Sequence, residues 1–153
     1  MPNKDKKDFN KMLNAPMEPK IVNLDAAGAA KWGGSTMVVA PKKDYDDLIK
    51  QIPAGKLATT KELRKHIAKK YGTQIACPLT AGIFTNIAAW ASYQRKEDIT
   101  PFWRVVKDKG ELNNKFPEYP TLQKQKLEAE GFTIVEKRGK YYVQDYESCL
   151  VEL

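Results

Sequence analysis

The sequence predicts a mainly α fold with small β elements, arranged as a winged helix-turn-helix with a flexible N-terminal arm. Three observations carry that expectation. Two helical apolar patterns follow each other across a short link, a hairpin pattern with a basic tip comes later, and the first residues are poor in large apolar groups. The chain of 153 residues suits one domain. It divides into an arm with a short strand over 1–42 and a winged-helix unit over 43–153.

Residues 1 to about 20 combine lysines and asparagines with Pro2, Pro16 and Pro19. Such a composition buries too little surface to offset the entropy of ordering, so a mobile arm is expected. Residues 31–35, Lys-Trp-Gly-Gly-Ser, read as a turn, and Thr36 to Ala40 as a short strand closed by Pro41. Tyr45, Leu48, Ile49 and Ile52 stand at helical spacing behind acidic residues, which predicts a helix over 44–52.

Thr59 to Glu62 has capping-box spacing; Leu63, Ile67 and Tyr71 then recur every four residues up to Gly72, a C-cap residue. The outer face of this helix carries Lys61, Arg64, Lys65, Lys69 and Lys70. It reads either as a solvated lysine face or as one that meets phosphates. From Leu79 to Tyr93 a second helix is predicted, with Ile83, Phe84, Ile87, Ala88 and Ala91 inward and Thr80, Thr85, Asn86, Ala89 and Ser92 outward. A small, almost uncharged outer face suits a helix lying deep in a groove, where Thr and Asn can bond phosphates or base edges. A partly buried helix would carry the same pattern.

The link over 72–78 is compact enough for a helix-turn-helix, with the second helix as reader. Phe102 to Val106 reads as a strand, 107–110 as a turn, and Pro120-Thr121 as the start of a last helix that Gly131 closes. Phe132 to Val135 and Tyr141 to Val143 flank Arg138-Gly139, a hairpin with Lys137, Arg138 and Lys140 at its tip. A charged hairpin after a helix-turn-helix resembles a wing.

Composition narrows the chemistry. The net charge of +7 and the pI near 9.3 suit a polyanionic partner, because Lys and Arg displace counterions from phosphates. Cys77 and Cys149 are too few and too separated for a disulfide framework or a zinc site, and His66 is the one histidine. Histidine-dependent catalysis, a metal site and a bound cofactor are therefore not expected. Mean hydropathy is −0.58 and no apolar run approaches the roughly 20 residues of a membrane span. The charged N-terminus leads into no apolar stretch, so a soluble, cytoplasmic chain without a membrane partner is the expectation.

The segment Thr100-Pro101-Phe102-Trp103-Arg104-Val105-Val106, then Gly110-Glu111-Leu112 and later the run from Gln123 through Leu127 to Glu130 and Gly131, resembles the C-terminal domain of methylated-DNA-protein-cysteine methyltransferases. Residues 52–60, Ile-Pro-Ala-Gly-Lys-Leu-Ala-Thr-Thr, resemble the segment opening that domain. The blocks keep the family's order over about residues 48 to 132. The resemblance implies an alkyltransferase-like winged helix that binds double-stranded DNA, with phosphates held near Thr59, Thr60, Lys61, Lys65 and the basic hairpin, and the reading helix contributing Thr80, Thr85, Asn86, Ser92 and then Arg95.

The departures change the implied activity. In the family the central motif reads Pro-Cys-His-Arg-Val; its cysteine accepts the alkyl group and its histidine helps form the thiolate. Phe102 and Trp103 occupy those positions, so alkyl transfer by that mechanism is not expected and no residue is assigned as catalytic. Glu130 matches the family's relay glutamate, and Arg104 the arginine that supports the motif loop.

The chain is similar to the alkyltransferase-like proteins, which also lack the cysteine and flag alkylated guanine for excision repair; a repair-pathway protein is then a second implied partner. The family's base-flipping tyrosine aligns with Thr60 or Lys61, and its intercalating arginine with Pro78 or its neighbours. Flipping fills the vacated stack and rotates a phosphate, so both damage recognition and plain DNA binding stay open. A different reading makes the chain a module that binds protein or a small ligand in a pocket formed by Phe102, Trp103, Arg104 and Glu130. Residual enzymatic activity would require Cys77, just before the reading helix, as a substitute nucleophile.

Overall fold

The computed structural model describes residues 7–153, and the first of these already join the core. Asp8 accepts the Lys11 N–H at 3.0 Å and caps a short helix, α1 (Phe9–Asn14). Phe9 and Leu13 are buried, and the Phe9 ring stacks on Trp90 with centroids 5.6 Å apart. Gln94 holds the helix start by accepting the Phe9 N–H and donating to the Lys7 carbonyl. These contacts correct the expectation of a mobile arm for residues 7–20. Phe9, Met12 and Leu13 stand at helical spacing, and covering that stripe offsets the entropy of ordering it. The rest of the expected arm, Pro2 included, lies outside the described residues.

Strand β1 (Lys20–Asn23) runs antiparallel to β2 (Thr36–Val39), with helix α2 (Ala26–Trp32) between them. The predicted turn therefore begins two residues late, because Lys31 and Trp32 finish α2 and Gly33 caps it at a φ of 83°. Strand β2 forms where expected. It pairs in parallel with residues 75–76, so residues before and after position 42 share one sheet.

Helix α3 (Lys42–Ile49) buries Tyr45, Leu48 and Ile49, starting and ending slightly earlier than its predicted bounds. Strand β3 (Ala58–Thr59) leads directly into α4 (Thr60–Tyr71). The capping box is present: the Glu62 carboxylate accepts from the Thr59 N–H at 2.9 Å and its hydroxyl at 2.8 Å. At the other end Gly72 takes a φ of 68° and stops the helix. The Tyr71 hydroxyl donates to Asp44 of α3; burial and this bond push the hydroxyl up to about 12.

Strand β4 (Ile75–Ala76) is the partner of β2 and leads into α5 (Pro78–Gln94), with Pro78 in the first turn, where its missing N–H costs nothing. Helices α3, α4 and α5 pack together, with Leu63, Ile67, Phe84, Ile87 and Ala88 in the main core. No helix among the described residues is long and apolar enough to cross a membrane.

After α5 the chain makes one 3-10 turn (Phe102–Arg104), then strand β5 (Val105–Val106), which pairs in parallel with β3. The predicted strand over 102–106 is thus only two residues long, because Phe102 turns into the core. A further 3-10 turn (Asp108–Gly110) and helix α6 (Thr121–Ala129) follow, then the hairpin of β6 (Ile134–Lys137) and β7 (Lys140–Val143). Arg138 and Gly139 both have positive φ, 53° and 78°, the requirement of a two-residue turn matching strand twist. Among the described residues the result is mainly helical with three small sheets, the expected fold class.

Candidate nucleic-acid interface

A groove of about 690 Å³ opens between α5, the start of α4 and the loop over 107–115. Its helical wall is the outward face of α5: Leu79, Gly82, Ile83 and Asn86, spaced at three and four residues. Leu79 is 65% exposed and Ile83 55%, unusually open for large apolar side chains on a helix so well packed elsewhere. Between them Gly82 has no side chain, and among the described residues no atom outside its own helix lies within 4 Å of where a Cβ would stand. A partner can approach the backbone closely there.

The opposite wall carries Lys107, Lys109 and Lys115 with Asp108 and Glu111. Gly110 lets this loop turn. It takes a φ of 80°, and a Cβ on it would stand 2.7 Å from the Tyr146 ring. The hairpin is fastened to the same loop, since Leu112 donates its N–H to the Tyr141 carbonyl and Glu111 pairs with Tyr142. Lys61 and Lys109 line an adjoining depression together with Glu62, Asp108 and Glu147.

A file of side-chain amides runs back from the groove. Asn113 donates to Asn86 Oδ1 at 3.1 Å and accepts the Lys115 N–H at 2.9 Å. Gln123 accepts the Asn113 N–H at 2.9 Å and donates to the carbonyls of Trp103 and Val105 at 3.2 and 3.0 Å. The file links α5 to the 3-10 turn at the centre of the molecule.

That turn is held by one carboxylate. Glu130 accepts from the Trp103 indole at 2.8 Å, from Arg104 Nε and a terminal nitrogen at 2.9–3.1 Å, and from the Gly55 N–H at 3.2 Å. Arg104 also donates to the Ile52 carbonyl at 2.7 Å. Burial pushes the Glu130 carboxyl up, but the bonds from Arg104, Trp103 and Gly55 together outweigh it and hold it below the ordinary range. The Trp103 ring is flanked by Arg104 at 5.5 Å and Lys126 at 5.1 Å.

No protein-family model and no curated protein matches the chain. Two solved structures are similar to it. S. pombe Atl1 in complex with damaged DNA containing O6-carboxymethylguanine is 21% identical at a TM-score of 0.49, covering 72% of this chain and 93% of that one. S. pombe ATL in complex with DNA is 20% identical, with the same TM-score and coverage.

The residues proposed from sequence fall into three groups. Thr60 and Asn86 line the groove, Lys61 lies beside it, and Lys65 is exposed one turn further along α4. Thr59, Thr85 and Ser92 are corrections. Thr59 is buried with its hydroxyl given to Glu62, and Thr85 and Ser92 are each 1% exposed, Ser92 being bonded to both the N–H and the carbonyl of Thr100. Thr80 is half-buried and donates to the Cys77 carbonyl. Arg95 is an anchor for the loop after α5, donating to the Asp98 carbonyl, Thr100 Oγ1 and Asn10 Oδ1.

The outward face expected for α5 is therefore rotated. Ala89 is buried and Ile83 faces the groove. The expected pocket of Phe102, Trp103, Arg104 and Glu130 is a packed node instead: Phe102 is 3% exposed and meets the rings of Trp103 and Phe116 edge to face. Cys77 is 8% exposed, with its backbone bonded to Val38, a poor position for a nucleophile. Among the described residues no group of three or more His, Cys, Asp or Glu could hold a metal ion. Leu79, Gly82, Ile83 and the loop lysines were missed, although the alternation of Lys107, Asp108, Lys109 and Gly110 already marked a charged turn.

Proposed function

We propose that this protein is a non-catalytic, double-stranded DNA-binding protein of the alkyltransferase-like type, docking the α5 face into duplex DNA. The observation that carries the reading is the groove. An exposed helix face of Leu79, Gly82, Ile83 and Asn86 stands opposite Lys107, Lys109 and Lys115, with Lys61 alongside. Apolar side chains suit sugar and base edges, the glycine allows close approach, and the lysines neutralise phosphates. A net charge of +7 favours encounter with such a polyanion.

Alkyl transfer is not part of the proposal. Neither Phe102 nor Trp103 can act as the nucleophile or its base, and Trp103 is engaged with Glu130. The finer form of the reading takes alkylated guanine as the preferred base and a repair-pathway protein as the later partner. It rests on the resemblance of the blocks around Pro101, Arg104 and Glu130.

A salt titration of duplex binding tests the reading. Log affinity should fall linearly with log salt at a slope of about −0.9 per neutralised phosphate, or roughly −3 to −4 for Lys107, Lys109, Lys115 and Lys61. No binding at low salt, or binding indifferent to salt, overturns it. Comparing alkylated with plain duplex decides the finer form: tighter binding to the alkylated duplex supports it, and equal affinity removes it.

A further inference from the structure

We infer that Asn86 is a specificity-determining residue of this interface, oriented by Asn113 so that only its amide donors face the bound duplex. The inference rests on the DNA-binding reading above and adds which atoms read the bases.

A free asparagine presents both a donor and an acceptor and discriminates poorly. Asn86 is not free in this sense, because each amide behind it has one orientation open to it. Gln123 Nε2 lies against two carbonyls, those of Trp103 and Val105, so its nitrogen must face them and its oxygen must face the Asn113 N–H. Asn113 Oδ1 receives the Lys115 N–H, so the Asn113 nitrogen must point to Asn86. Asn86 can answer a donor only with its oxygen. Its NH2 group is left for the groove, which Asn86 lines with Ile83 and Gly82. Backbone groups at both ends thus fix the polarity of the whole file.

A donor held in this way favours base-edge acceptors and is repelled by exocyclic amines. In the major groove these are adenine N6 and cytosine N4, and in the minor groove guanine N2. A base edge, rather than a phosphate, is the target because Asn86 carries no charge and its groove-lining neighbours along α5 are Gly82 and Ile83, while the groove's lysines come from the loop over 107–115. Asn113 never needs to touch DNA. It acts as a positioning residue.

The test is competitive binding to a pool of randomised duplexes by the full chain, its Asn86→Ala variant and its Asn113→Ala variant, with a salt titration and a melting curve for each. The wild type should prefer certain base pairs at one or two positions by roughly fivefold. Asn86→Ala should flatten that preference at the same positions, with an unchanged salt slope and a melting temperature lowered no more than the loss of its one hydrogen bond from Asn113 requires. Asn113→Ala should relax the same positions, because it frees Asn86 to rotate. Uniform weakening of Asn86→Ala across all sequences would mean a phosphate contact and overturn the inference, as would an unchanged preference in that variant. A wild type that binds duplex without any base preference ends this inference alone, whereas one that binds no duplex ends the DNA-binding reading with it.

Discussion

Trp103 donates its indole N–H to Glu130 across 2.8 Å, and the same carboxylate is clasped by the adjacent Arg104. Beside it Phe102 lies in the core, 3% exposed, so this stretch holds one ring in the apolar interior and the next on the acid. The segment is part of the scaffold that supports α6, β5 and the amide file behind the groove.

Glu130 should therefore be a stability residue with a defined pH signature. Its carboxyl sits below the ordinary value in the folded state, so its contribution is fully present above the unfolded value near 4.5 and is lost as pH falls through the lower folded one. Thermal melts from pH 7 down to 3 should show this decline in the wild type, and Glu130→Gln should weaken it while costing on the order of 3 kcal/mol at pH 7. A variant as stable as the wild type would mean that the node contributes nothing.

Removing the anchor of α1 tests whether the N-terminal segment belongs to the core. Phe9→Ala should cost about 3 kcal/mol in chemical denaturation, the usual loss for a buried aromatic side chain. A mobile arm would give no change.

The two thiols should differ in reactivity. Half-exposed Cys149 should react with a thiol reagent in the native state, and buried Cys77 only when the chain unfolds. After incubation with alkylated-guanine DNA the protein mass should be unchanged; a gain equal to the alkyl group would revive the enzymatic reading through Cys77.

The lysines should separate by position. Replacing Lys61, Lys107 or Lys109 with Ala should each lower the salt slope by about one unit and weaken all sequences alike. Lys70 at the far end of α4 pairs with Asp44 at 3.3 Å, so Lys70→Ala should leave the slope unchanged. Equal effects along the helix would make the whole lysine face an interface.

How much of this was legible follows from the physics of each element. Helix α4 was plain because Thr59, Glu62 and Gly72 supply its start and stop locally. Helix α5 was found, but its rotation was misread, since it is apolar on nearly every side and buries the small polar Thr85 and Ser92. Periodicity cannot choose a face there. α1 was hidden by the lysines and prolines around Phe9, Met12 and Leu13, a stripe too short to stand without Trp90, which is 81 positions away from Phe9. The groove depends on α5 and the 107–115 loop coming together, which no local pattern encodes, and the change from an expected pocket to a packed node depends on Glu130 reaching Trp103 and Arg104 from α6's end.

The most direct test of the central claim is the duplex affinity of Ile83→Asp beside the wild type at one low salt concentration. Ile83 is exposed, so the melting temperature should not move. The account predicts roughly a tenfold or greater loss of affinity, because a carboxylate would replace an apolar contact against a polyanion. Unchanged affinity in a folded variant would contradict it, and the α5 face would not be where DNA binds.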